Sequence, residues 1–446
     1  MYLNLEQIRA KIQGNYENEK KIEKAKKYYR VDNTIKKTGV RPKEDTKDPL
    51  RTANNKIPHN FHQILVDEKA SYLFTYPILF DIDNNNKLNT QVFEVLGDDF
   101  QRKAKNICIE ASNAGTAWVH YWYAEDKEGE KNFKYEKVNT EEVIPIYDNG
   151  LEKTLEGLIR YYIVSEYVEG ELNPQDFCYI EYWTADRMER WKLRNSYNGS
   201  IVEYEDVAHT IGEIPFIEFA NNLNKQSDLE KYETLIDMMD KVMSGFCNDM
   251  EDIQQVLYIL EGYEGTDLKE FKDNLKRYKT LSFDTEGGGL KTIQIDIPVE
   301  ARKVIVEILK KQIYESGQGL QADIDSIGNA SGITLKFFYR KLELKAGLLE
   351  TEFRSGFATL VKAILRFLKV ENYKKINQTW TRNMISNDLE NSQIAQASVG
   401  IIPKKIILAN HPWVDDVQLA LDLLEEEEKE NMIDYNFNAA IGEANE

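Results

Sequence analysis

From Ile333 to about Lys369 the chain keeps one apolar stripe at helical spacing through Leu349, Phe353, Phe357, Leu360, Ile364 and Leu368. No proline interrupts it anywhere between Val299 and Ile402. At 1.5 Å per residue such a helix spans roughly 55 Å, more than one small globular core can cover. The spacing therefore predicts a helix that crosses between domains or lies against a neighbouring subunit.

What surrounds this helix narrows the choice. Pro298 opens a preceding helix with Val299, Val304, Ile305, Ile308, Leu309 and Ile313 on its apolar side, ending near Ser316-Gly317. Between the two lies QADIDSIGNASGITLK, residues 321–336, small, polar and punctuated by glycine. Further upstream, Ser227 or Asp228 is expected to cap a long helix running to about Gln255, with Leu229, Tyr232, Leu235, Ile236, Met239, Val242, Met243 and Phe246 at steps of three and four. Residues 256–297 read as a compact unit: a strand at 256–261, a short helix at 267–278, a strand near 280–284, a turn at Gly287-Gly288-Gly289 and a strand at 290–297.

The N-terminal half is organised differently. Residues 1–30 read as a helix through Leu5, Ile8, Ile12 and Tyr16, followed by a polar arm from Arg30 to Ile57. A second helix, Asn60 to Tyr72, stops at Tyr76-Pro77, and a third covers about 88–112. From 115 to 220 the period changes to that of short antiparallel strands, rich in aromatic and β-branched residues. The last part reads as a strand at Ile376–Arg382, helices at 387–399, 403–409 and 412–430, and a polar tail.

Several function classes are excluded. With 42% hydrophobic and 11% aromatic residues, the composition is that of a folded chain. A formal charge of −19 repels a phosphate backbone overall. Cys108, Cys178 and Cys247 form no CxxC pair, so neither a disulfide framework nor a zinc site is expected. MYLNLEQIRAKIQGNY is not written as a signal peptide, and no apolar run is long enough to span a membrane. There is no GxxxxGK[ST], GxSxG or HExxH, and Gly287–Gly289 joins strands instead of opening a helix. His59 and His62 share a helix face but lack a third ligand at metal spacing, and they read as ordinary helix-start residues. The 76 Asp and Glu put paired acids everywhere by chance, so neither an enzyme, nor a cofactor, nor a metal is expected.

Two passages carry a resemblance. Residues 54–77, NNKIPHNFHQILVDEKASYLFTYP, resemble the N-x-K-I…(I/L)-V-D-x-K…Y-L-x-G-x-P signature of portal proteins from tailed bacteriophages of Gram-positive hosts, with Thr75 where that family commonly has glycine. The order of elements from Ser227 to about Leu368, with SGITLK (331–336) leading into LELKA (342–346), resembles the portal stem, clip, stem, tunnel loop and spine. The resemblance implies an α+β portal fold assembled as a ring: an N-terminal helix (1–29), a β-rich wing (30–227), stem helices (228–255 and 298–317), an αβ clip (256–297), a tunnel loop (318–334), a spine helix and wing return (335–390), a helical crown (391–433) and a disordered tail (434–446).

It also implies a function without catalysis. Such a subunit, typically one of twelve, sits at a single capsid vertex of the virion, after assembly in the host cytoplasm. It passes double-stranded DNA that is weakly held, and it meets the large terminase, then head completion or adaptor proteins, beside major capsid and scaffolding proteins. Asp323, Asp325, Ser326, Asn329 and Ser331 are then expected to face DNA from the tunnel loop, and Lys269, Lys272, Lys276, Arg277 and Lys279 to form a clip docking surface, against the plainer reading of a solvated helix face. The alternative is another capsid-associated scaffold or adaptor, which has no need for two stem helices around a small domain.

Overall fold

The structure is a computed structural model describing residues 2–39, 53–125, 129–170, 172–253, 257–261, 289–293, 298–320, 332–383, 388–409, 411, 414, 420–424, 426 and 427. The chain divides into two compact units: residues 1–319 with 344–382, and residues 320–343 with 383–446.

In the first unit α1 (Leu5–Tyr29) opens with a capping box between Asn4 and Gln7 and buries Ile8, Ile12, Ile22, Ala25 and Tyr28. Tyr16, expected on that stripe, is exposed, with the Lys20 ammonium 4.0 Å above its ring. A single turn, α2 (Ile35–Thr38), precedes α3 (Phe61–Phe74), nine of whose fourteen residues are buried, as a helix enclosed on most sides requires. β1 (Leu79–Ile82) follows. The single helix expected over 88–112 is two, α4 (Asn86–Leu96) and α5 (Phe100–Ala114). Gly97 separates them: at φ +78° it caps α4, its N–H reaching the Phe93 carbonyl at 3.0 Å.

The β-rich block forms two antiparallel sheets. β2 (Thr116–Glu125) pairs with β3 (Lys131–Val138) on one side and β9 (Phe216–Ala220) on the other. The second sheet runs in chain order through β4 (Val143–Tyr147), β5 (Leu155–Glu166), β6 (Gln175–Trp183), β7 (Arg187–Arg194) and β8 (Ile201–Ala208). Leu3, Ile8 and Ile12 at the N-terminus pack on the second sheet against Ile159, Ile180 and Leu193.

α6 (Glu233–Ile253) and α7 (Val299–Gly317) flank a two-stranded antiparallel pair, β10 (Leu257–Glu261) with β11 (Gly289–Ile293). The long helix α8 (Gly332–Phe367) has 36 residues, roughly 54 Å. Phe353 and Phe357 are fully buried in a ring cluster with Phe74, Phe80, Phe100, Phe219 and Trp380. Burying each contributes about 2–3 kcal/mol. β12 (Ile376–Thr379) closes this unit by pairing antiparallel with β1.

The second unit contains the first turns of α8, then α9 (Asp388–Ala397) and α10 (Lys404–Ala409), the latter following Pro403. Of the helix expected at 412–430, residues 420–424, 426 and 427 are described, and they are helical. No helix among the described residues is long and apolar enough to cross a membrane.

Candidate functional site at the helix pair

α6 and α7 pack through a seam of Tyr232, Ile236 and Met239 against Leu309 and Ile313, joined by Val242, Met243 and Val306. Arg302 of α7 ion-pairs with Asp249 of α6 at the far end of the seam. The side of α7 expected to be uniformly apolar therefore divides in two. Val306, Leu309 and Ile313 face α6, while Val304, Ile305 and Ile308 are 45–51% exposed on an adjacent face. On α8, Leu344 and Leu348 are 58% and 59% exposed. Contiguous exposed aliphatic side chains on a long helix mark a candidate interaction surface.

A third side of α6 is polar and receives the N-terminal region. Asp237 accepts from the Tyr28 hydroxyl, and the buried Asp240 carboxylate accepts from Asn33 at 2.7 Å and from the His59 backbone N–H at 2.9 Å. His59 Nδ1 lies 2.7 Å from that same carboxylate. One turn on, Ser244 Oγ accepts from the Ile57 N–H at 2.9 Å, and a further turn on Asn248 Oδ1 accepts from the Asn55 N–H at 2.5 Å. Residues 55–59 are thus a strap fastened to α6 by side chains at four-residue spacing.

Where α3, α6, α7 and α8 converge, charge is buried. Asp228 does not cap α6 as the sequence suggested. A 3-10 turn, Leu229–Lys231, intervenes with Ser227 Oγ accepting from the Leu229 N–H at 3.2 Å, and α6 begins at Glu233. The Asp228 carboxylate instead lies 2.5 Å from Lys69 Nζ and 3.4 Å from Lys345 Nζ, all three side chains at most 4% exposed. Asn221 bridges, accepting from Lys69 at 2.7 Å and donating to Asp228 at 3.0 Å. Lys345 also donates to the Gly317 carbonyl at 2.9 Å, the last residue of α7.

The electrostatics follow from burial. Desolvation alone would raise the Asp228 carboxyl, but the Lys345 and Lys69 ammoniums outweigh it and hold it well below the usual range. Burial pushes Lys345 down to about 8 against the pull of Asp228. His62 is pushed down to about 4 by burial and is neutral. With Asn113 Oδ1 2.8 Å from Nε2 and the Tyr232 hydroxyl 2.8 Å from Nδ1, Nε2 carries the proton and donates while Nδ1 accepts. The close fit continues at Gly317, where a Cβ would stand 2.5 Å from Leu65 Cδ1.

The residues expected to face DNA, Asp323, Asp325, Ser326, Asn329 and Ser331, lie outside the described residues, as do Lys269, Lys272, Lys276, Arg277 and Lys279. Sequence reading missed the Lys69–Asp228–Lys345 cluster. Its available signal was a lysine on each buried stripe, Lys69 between Leu65 and Leu73, and Lys345 between Leu342 and Leu349.

Comparison with known proteins decides what this arrangement belongs to. The family model described as "Phage portal protein, SPP1 Gp6-like" matches residues 8–434. The chain belongs to the phage portal protein family. The portal protein of Clostridium phage phiCD119 is 58% identical over 436 residues, covering 96% of this chain and 97% of that protein. The portal protein of Bacillus phage SPP1 is 29% identical over 435 residues, covering 92% and 84%. Among solved structures, a chain from the neck of a native GTA particle computed with C12 symmetry aligns with TM-score 0.44 and 10% identity, over 82% of this portal chain and 93% of that one. The α+β architecture agrees with the expectation drawn from the sequence resemblance.

Proposed function

We propose that this portal protein is a ring subunit, one of twelve, at the unique capsid vertex of a phage, forming the channel for DNA packaging and ejection and catalysing nothing itself. The observation that supports the ring is the aliphatic face of α7, Val304, Ile305 and Ile308, left exposed among the described residues beside a seam filled by α6. A neighbouring copy related by rotation would cover it with the same surface elements in every subunit. In this reading residues 30–227 with the return through β12 form the wing, α6 and α7 the stem, 256–297 the clip, 318–334 the tunnel loop and 391–433 the crown.

DNA passes through without being gripped. Each subunit carries −19, or about −228 over twelve, and phosphate contacts that add affinity would have to be broken during translocation. Asp323, Asp325, Ser326, Asn329 and Ser331 face the passing duplex. Lys269, Lys272, Lys276, Arg277 and Lys279 present a basic surface to the large terminase during packaging and to head completion or adaptor proteins afterwards, while the wing meets capsid and scaffolding proteins. Electron microscopy of the purified chain tests the assembly: rings with a central hole are expected, and a monodisperse monomer at high concentration would overturn it.

A further inference from the structure

The five-stranded sheet ends in an uncovered strand. β8 pairs with β7 on one side and with no strand among the described residues on the other, and Ile201, Val202, Tyr204 and Val207 are 47–55% exposed. Such an edge offers a row of N–H and C=O groups to another strand. The His209 N–H donates to the Asp186 carbonyl at 2.9 Å, and in the register that sets Ala208 opposite Arg187 this gives the odd positions of β8 to β7. The backbone groups of Tyr204 and Asp206 therefore point to the open edge.

β3 is the counterpart in the other sheet, paired among the described residues with β2 alone. The Tyr121 N–H donates to the Pro215 carbonyl at 3.0 Å, so the odd residues of β2 serve β9 and the even ones serve β3. The odd residues of β3 then point outward. Two of them are occupied: Lys103 donates to the Tyr135 carbonyl at 3.0 Å, and the Lys137 N–H donates to Glu136 Oε1 at 3.1 Å. Lys131 and Phe133 remain, at the end of β3 that borders a cleft of about 310 Å³ shared with Leu96, Gly97 and Phe367. Outside the β10–β11 pair, the other edges are obstructed. β4 contains Pro145, the Ile82 N–H of β1 donates to Asn89 at 2.8 Å, the Gln378 carbonyl of β12 accepts from Arg354 at 3.1 Å, and β9 lies against α8 at Gly356.

Charge decides the occupant. β8, IVEYEDVA, carries three carboxylates and no cation, whereas β3, KNFKYEKV, carries three lysines and one carboxylate, Glu136, which Lys103 faces at 3.6 Å. Glu203 on β8 and Lys131 and Lys134 on β3 have no ion pair among the described residues. Two copies of β8 laid edge to edge would oppose like charges.

We propose that β8 of each subunit adds as an antiparallel strand to β3 of the next copy, with Tyr204 opposite Phe133 and Asp206 opposite Lys131 as hydrogen-bonded pairs and Glu203 opposite Lys134. This register joins the open positions of the two edges and sets both carboxylates against lysines. The contact is head-to-tail, the kind that closes into a ring, so it rests on the ring reading and adds a second junction to the one at α7.

Sedimentation velocity of the full chain over a range of concentrations tests it. Lys134→Glu and Glu203→Lys, both at exposed positions, are each expected to raise the half-assembly concentration at least about 5-fold. Together they leave the net charge unchanged and are expected to return assembly to within about 2-fold of wild type. As a second measurement, Lys134→Cys with Glu203→Cys, oxidised with copper phenanthroline, is expected to give a ladder of covalent multimers on a non-reducing gel that neither cysteine gives alone. A wild type that stays monomeric overturns the ring reading and this junction with it. Wild-type rings combined with unshifted single variants, no recovery in the double variant, or no ladder from the cysteine pair overturn the strand pairing and leave the ring reading standing.

Discussion

Lys345 of the long helix donates from its ammonium to the Gly317 carbonyl at 2.9 Å, tying α8 to the last residue of α7 across the 318–331 connection. The same nitrogen faces Asp228 at 3.4 Å, so one buried cation joins the start of the α6 region, the end of α7 and the body of α8.

Two buried lysines and the partly exposed Lys231, 3.6 Å away, share one aspartate, so the variants of this cluster should be unequal. Asp228→Asn leaves two buried ammoniums facing each other and is expected to cost about 3–5 kcal/mol. Lys345→Met leaves Asp228 still paired with Lys69 and Lys231 and orphans the Gly317 carbonyl, costing about 1–3 kcal/mol. Urea unfolding followed by tryptophan fluorescence orders them, and a milder Asp228→Asn would reverse the assignment.

The same cluster sets a pH dependence. Lys345 has a folded pKa near 8 against an ordinary value of 10.5, so between those values the unfolded chain binds the extra proton and stability from this group rises with pH. Wild type should gain on Lys345→Met between pH 8 and 10.5. His62 and His120, both near 4 in the fold against 6.5, work on the acid side: the unfolded chain binds their protons first, so stability falls as pH drops from 6.5 to 4. Thermal midpoints of the wild type and of His62→Gln across that range measure this, and the variant's curve should be flatter.

Gly317→Ala forces a methyl toward Leu65 Cδ1 and should destabilise by about 1–3 kcal/mol. Leu65→Val in the same chain should relieve part of that, a coupling visible in a double-mutant cycle. Strict additivity would mean that the helix end shifts freely.

Ile308→Asp places a charge on the exposed stripe of α7 without touching the α6 seam. Sedimentation should show the variant folded but unable to form rings. Rings of normal size would move the subunit contact elsewhere.

For the residues assigned to the channel and the clip, Asp323→Lys with Asp325→Lys should slow or stall packaging while rings still assemble, and Lys272→Glu with Lys276→Glu should lower packaging without disrupting rings. An in vitro packaging assay separates these effects, and normal packaging by either pair would remove it from its assigned surface.

The elements legible in the sequence were those written in neighbouring residues. The stripe Leu349–Phe353–Phe357–Leu360–Ile364 shows in α8, and the Leu229–Met243 steps showed a helix near α6 although they misplaced its start. Periodicity says that a face is apolar but not what covers it, so Val304, Ile305 and Ile308 were grouped with Leu309 and Ile313 although only the latter two meet α6. The split of 88–112 turned on one backbone angle at Gly97. The partnership of Lys69 with Asp228, 159 positions apart, could not be read because nothing local records such a pairing. The polar steps Asp240, Ser244 and Asn248 share the four-residue period, but a period does not say that the N–H groups of His59, Ile57 and Asn55 lie against them.

Those three side chains have a mechanical consequence. They take hold of the strap through fixed donors, the N–H groups of Asn55, Ile57 and His59, at alternate positions on the strap and one helical turn apart on α6. A slip of one residue would misalign every donor together, so the strap resists sliding along the helix and yields, under a pull parallel to it, as a single unit with a threshold.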